Sequence, residues 1–134
     1  MATINYFLVC ENFIVDENDR LTSIINTFDE IWSDKFPMTP RKFTLAMDLE
    51  LTEEEENNGE FTTGLLIEDP SKKRIFEAKG RPKVINPDAD NRRIISSVDV
   101  GGKINFKKAG SYNAKLLVND SVVSQRKIDV KEAK

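Results

Sequence analysis

Histidine is absent from this 134-residue chain, and its absence excludes a good deal of chemistry. Without imidazole the chain lacks both the side chain best poised for proton transfer near neutral pH and the commonest metal ligand. No histidine-based triad, zinc-hydrolase motif or imidazole redox ligation can be built within it. Cysteine occurs once, which rules out an internal disulfide framework and fits a reducing compartment. One Trp and two Tyr are few for an aromatic-lined carbohydrate or small-ligand module. Long apolar runs are missing as well. The stretch MATINYFLVCENF has an apolar run only from Tyr6 to Cys10 and no basic lead, so no signal peptide is expected. No segment approaches the roughly 18 apolar residues of a membrane span. The expected address is the cytoplasm, with no membrane contact.

What is present reads as a globular domain. Hydrophobic residues make up 39% and charged residues 32% of the chain, with a formal net charge of -3. That composition supports a hydrophobic core and provides no global attraction to nucleic acid. With no composition shift and no internal repeat, a single domain over 1–134 is expected, frayed at 131–134.

Short extended segments recur with turn signals between them. TINYFLVC and NFIV read as strands leading into the polar turn DENDR. LTSIINTF and its continuation into IW favour one further strand, bulged near Asn26. Pro37 and Pro40 mark SDKFPMTPRK as a connection along an edge. FTLAMDLEL alternates best: Phe43, Leu45, Met47, Leu49 and Leu51 share one face, and Thr44, Ala46, Asp48 and Glu50 the other. The EEEE run is a solvated turn, FTTGLLIEDPSKKRIFEAKG a hairpin, and RPKVINPDADNR a long connection. RIISSVDV is a strand before a Gly101-Gly102 hairpin turn, and the segment from Tyr112 to Val130 is a last hairpin around Asn119-Asp120-Ser121. Eight or nine short strands with frequent turns make an all-β, two-sheet antiparallel sandwich. Gly110 and Tyr112 suit a sheet corner at which a tyrosine hydroxyl reaches backbone.

The candidate chemistry mostly reduces to structure. Counted from Asp16, the DENDR turn fails the EF-hand spacing at Arg20, Leu21 and Thr27. Cys10 has no base, and the neighbouring Glu11 would raise its pKa, so it reads as a buried structural thiol. Glu11 and Asn12 suit a clamp on a strand bend through backbone hydrogen bonds. Gly101-Gly102-Lys103 lacks the spacing of a phosphate loop. Lys72-Lys73-Arg74, Arg92-Arg93 and Lys107-Lys108 alternate with acidic segments and match no nucleic-acid recognition motif. No catalytic, metal or cofactor residue is assigned, and no cofactor or enzyme activity is expected. Asp29 and Glu30 are adjacent, so on a strand they point to opposite faces. One of them could turn inward to a partner such as Arg41.

The opening segment resembles a family of uncharacterised bacterial and phage-associated proteins. The positions that carry the resemblance are Cys10, Glu11, Asn12, Phe13 and Ile14, then Asp16, then Leu21, Ser23, Ile24 and Ile25, then Phe28, Asp29 and Ile31, and finally Phe36-Pro37. Later matches are Gly110, Tyr112, Leu116, Val118 and Asn119-Asp120. Asn26 departs from the small residues common at its position. The resemblance implies an immunoglobulin-like sandwich and carries over no functional residue.

The expected function is therefore a non-catalytic module acting through protein–protein contact or self-assembly. The alternatives are a phage-derived structural component and a small-ligand or carbohydrate module. Edge strands and aromatic anchors are the natural contact elements. Asp29, Glu30, Trp32, Phe36 and Met38 form the candidate contact set, toward a protein partner or a second copy rather than nucleic acid.

Overall fold

The computed structural model describes residues 2–16, 21–52, 61–82, 84 and 92–133. It contains β1 (Thr3–Asp16), β2 (Leu21–Thr27), β3 (Glu30–Ser33), β4 (Thr44–Leu51), β5 (Thr63–Glu68), β6 (Arg74–Gly80), β7 (Arg92–Asp99), β8 (Gly110–Val118) and β9 (Ser121–Glu132). The expected DENDR turn beyond Asp16, the EEEE run and most of RPKVINPDADNR lie outside the described residues. Among the described residues there is no helix, hence none long and apolar enough to cross a membrane.

The strands form two sheets, β2-β1-β4-β7 and β3-β9-β8-β5-β6. All the pairings are antiparallel except β3 with β9, which is parallel. Period-two alternation places Leu45, Met47, Leu49 and Leu51 of β4 in the core beside Phe7 and Val9 of β1 and Ile94 of β7. The second sheet contributes Leu65, Ile67, Tyr112, Ala114, Leu116, Val118, Ile128 and Val130. The strand order sets β1-β4-β7 opposite β9-β8-β5-β6. That is the A-B-E against G-F-C-C′ arrangement of an immunoglobulin-like sandwich, with β2 added outside β1.

Tyr112 occupies the expected corner. Its ring is buried, its edge meets Phe106 at 4.7 Å between centroids, and its hydroxyl donates to the Lys108 carbonyl at 2.8 Å. Tyr112→Phe should cost about 1 kcal/mol, because the Lys108 carbonyl loses its donor while the packing is kept. Urea unfolding measures this, and an unchanged midpoint would count against the corner as a stabilising contact.

Three expectations are corrected. The segment from 21 to 32 is two strands in different sheets rather than one. Asn26 takes a left-handed conformation (φ 53°), which asparagine tolerates. Phe28 then turns inward to meet Phe43 at 5.8 Å, and the chain continues as β3 beside β9. Gly101-Gly102 is no hairpin turn, since β7 and β8 belong to different sheets. It sits in a crossover in which Val100 and Gly101 donate to the Phe43 carbonyl and Gly102 donates to the Pro40 carbonyl. Finally, the chain does not fray at 131. Lys131 and Glu132 are strand residues opposite Trp32 and Ser33, and Ala133 donates to the Ser33 carbonyl at 2.8 Å.

Candidate interaction surface

The predicted contact residues divide between edge and core. Phe36 and Met38 are half-buried against the core, and Met38 exchanges backbone bonds of 2.9 and 2.8 Å with Phe106. They close one end of the sandwich. Asp29 and Glu30 are both exposed, so neither turns inward. The Asp29 carbonyl accepts from the Asp129 amide at 2.9 Å. Glu30 pairs with Lys131 at 3.0 Å, not with Arg41, because the parallel β3–β9 register brings those two side chains together. The hydrogen bond from Lys131 holds the Glu30 carboxyl below the usual carboxylate range. Lys131 also stands 5.2 Å from the ring centre of Trp32, which is 60% exposed. Glu30, Trp32 and Lys131 thus form a small exposed group along the β3 edge.

A larger apolar surface lies on the same chain segment, nearer the start. β1 is shared between two partners. Thr3 to Cys10 pair with β4, Cys10 to Asp16 pair with β2, and only Cys10 belongs to both ladders. Beyond Cys10 the two strands therefore form a two-stranded arm. The rings of Tyr6 and Phe13 lie 6.4 Å apart although they are seven positions apart in sequence. A straight strand would separate them by about 23 Å, so β1 bends sharply and the arm curls back over the outer face of the first sheet. Ile14 (49%), Val15 (37%), Ile24 (36%) and Ile25 (40%) remain exposed along it. Phe13 opposes Ile24 and Asn12 opposes Ile25, so both faces of the ribbon carry apolar side chains.

The base of the arm is tied down by polar side chains. The Asn26 amide donates to Glu11 at 2.8 Å, Lys42 lies 3.9 Å from the same carboxylate, and the Asn12 side chain accepts from the Phe13 amide at 2.9 Å. Of the two expected backbone bonds only that of Asn12 is made, to the adjacent Phe13 amide; Glu11 instead holds the Asn26 side chain across the ribbon. A cleft of about 470 Å³ opens between the arm and the first sheet, with Phe13, Ile25, Arg41 and Asp99 among its lining. Cys10 is fully buried at the root of the arm, and burial pushes its thiol pKa up. Both effects suppress thiolate chemistry. Ellman's reagent should therefore label Cys10 only as fast as the protein unfolds. Rapid labelling in the absence of denaturant would contradict that placement.

Sequence reading missed a buried polar group. Asp48 is 2% exposed although it lies on the polar face of β4. It accepts from Asn5 at 3.1 Å and from Arg93 Nε at 3.0 Å, and Arg93 adds a second bond to the other carboxylate oxygen. A bulge between Ile4 and Tyr6 leaves Asn5 out of the β1–β4 pairing, from which its amide reaches that carboxylate. No local signal marks this triad, because its members come from three strands.

A model of a family of unknown function, DUF6941, matches residues 5–131, nearly the whole chain. An immunoglobulin-like protein from Pseudomonas aeruginosa, solved by crystallography, is similar to this chain at 14% identity. The match covers 97% of this chain and 96% of that one, with a TM-score of 0.42. No curated protein matches the sequence.

Proposed function

The chain belongs to the DUF6941 family of unknown function, and from that premise we propose that it is a non-catalytic module working through protein–protein contact at its β1–β2 arm. The observation that carries this reading is the arm itself. A two-stranded ribbon is marginal in water on its own, yet this one leaves Ile14, Val15, Ile24 and Ile25 exposed over both faces. Clustered exposed β-branched side chains on a two-stranded element suit a contact surface, whereas singly scattered ones need no explanation. The chemistry of the chain supports the non-catalytic part: it has no histidine, and its one thiol is buried with a raised pKa.

The test is site-restricted photocrosslinking in the native cell. A photoreactive side chain at Ser23 on the arm should give a discrete protein adduct, and the same group at Gln125 on β9 should give none. Equal adduct patterns at the two positions, or no adduct at Ser23, would overturn the reading.

A further inference from the structure

Among the described residues the two sheets end in four outermost strands, β2 and β7 in the first and β3 and β6 in the second. Thr3 to Val9 of β1 form a further edge that β2 does not reach. Free edges invite pairing, and proteins commonly guard them with charge. β7 carries Arg92, Arg93 and Asp99, β6 carries Arg74, Glu77 and Lys79, and the four-residue β3 carries Glu30. β2, with the sequence LTSIINT, has seven residues and no charge or proline at all. Of these four outermost strands, β2 is the one that can meet a copy of itself without repulsion or desolvated charge, and it is also the outer strand of the apolar arm.

We infer that the occupant of this edge is a second copy of the chain, with the two β2 strands pairing antiparallel across a two-fold axis at Ile24. This rests on the arm being a protein-contact surface. The existing β1–β2 register singles out the axis, since Phe13 already opposes Ile24. Pairing Ile24 with the partner's Ile24 continues that row as Phe13, Ile24, the partner's Ile24 and the partner's Phe13, apolar throughout. The same register sets Ser23 beside the partner's Ile25, which covers the second exposed isoleucine. An axis one residue earlier pairs serine with serine, and one residue later it flanks two isoleucines with asparagines. The interface is isologous and closed, so it gives a dimer and not a fibre. The union converts two marginal two-stranded arms into one four-stranded ribbon.

Light scattering across a concentration series tests the pairing on the full chain. The wild type should move to twice the chain mass. Ile24→Lys, which sets ammonium against ammonium at the axis, should weaken the dimer on the order of a hundredfold. Val122→Lys, at an apolar site on β9 that is more exposed than Ile24, should dimerise like the wild type. A second test does not depend on the lysine variant folding. In a Cys10→Ser background, Ile24→Cys should form a disulfide-linked dimer on mild oxidation, and Thr22→Cys should not. A wild type that stays at single-chain mass at every concentration overturns self-pairing, as does dimerisation of Ile24→Lys at wild-type strength. If Ser23 still crosslinks to a different protein in the cell while the purified chain is monomeric, self-pairing falls and the contact-module reading stands.

Discussion

Gly101→Ala should destabilise the protein by about 3 kcal/mol, at the upper end of what overpacking costs. A Cβ at Gly101 would lie 1.9 Å from the Arg41 carbonyl oxygen and 2.8 Å from its carbon. Those are backbone atoms, so no rotamer change relieves the overlap. Moving away would strain the two bonds from Val100 and Gly101 to the Phe43 carbonyl and the bond from Gly102 to Pro40. Phe43 is a core aromatic that meets both Phe28 and Phe106, so the displacement reaches the interior. With a urea slope near 2 kcal/mol/M, the midpoint should fall by about 1.5 M. Gly102→Ala is the internal comparison. Its added Cβ has open space, but the residue sits at φ +76°, which costs an L-residue about 1 kcal/mol. If the two variants lose equal stability, the close approach at Gly101 is not what constrains this crossover.

The second large effect is expected at the buried triad, and it should be asymmetric. The Asp48 side chain is 4% exposed, whereas Arg93 is 43% exposed. Arg93→Met strands a carboxylate in the sheet with Asn5 as its remaining donor in the triad, a loss of about 3 kcal/mol. For a chain of this size that corresponds to roughly 10 °C in Tm. Asp48→Asn leaves a guanidinium that can turn toward water, and should cost about half as much. The double variant Asp48→Leu with Arg93→Met should recover most of the loss, because an apolar pair of similar volume needs no compensation. Thermal and urea unfolding of the three variants decide the matter. A double variant no more stable than Arg93→Met alone would show that the site needs its polar network for more than pairing.

These two sites show where sequence reading stopped. The Phe43 to Leu51 alternation was legible because period two is local, and so was the Gly110–Tyr112 corner. Burial of Asp48 was not, since its polar face looked solvated until the β1 bulge and the β4–β7 register brought Asn5 and Arg93 to it. Gly101-Gly102 looked like a generic turn because the close approach of Arg41 depends on a fold-level crossover. The break at Phe28 was hidden for a related reason. LTSIINTF and IW are each good strands, and only the position of β9 about 100 residues away places the second of them in the other sheet. Of the candidate contact residues, Asp29, Glu30 and Trp32 lie exposed at the β3 edge, whereas Phe36 and Met38 are half-buried, a division that no local pattern marks. The arm carries no local signal, because β-branched residues at 14, 15, 24 and 25 suit a buried strand as well as an exposed one.

The single residue that joins the two ladders of β1 also divides the chain's backbone protection. The amides of Thr3 to Cys10 that face β4 are held within the sandwich, and their exchange requires opening it. Amides of 11–16 and 21–26 depend on one another alone, so they should exchange with solvent through a subglobal opening of low free energy. Cys10 is the expected boundary between slow and fast exchange within one continuous strand.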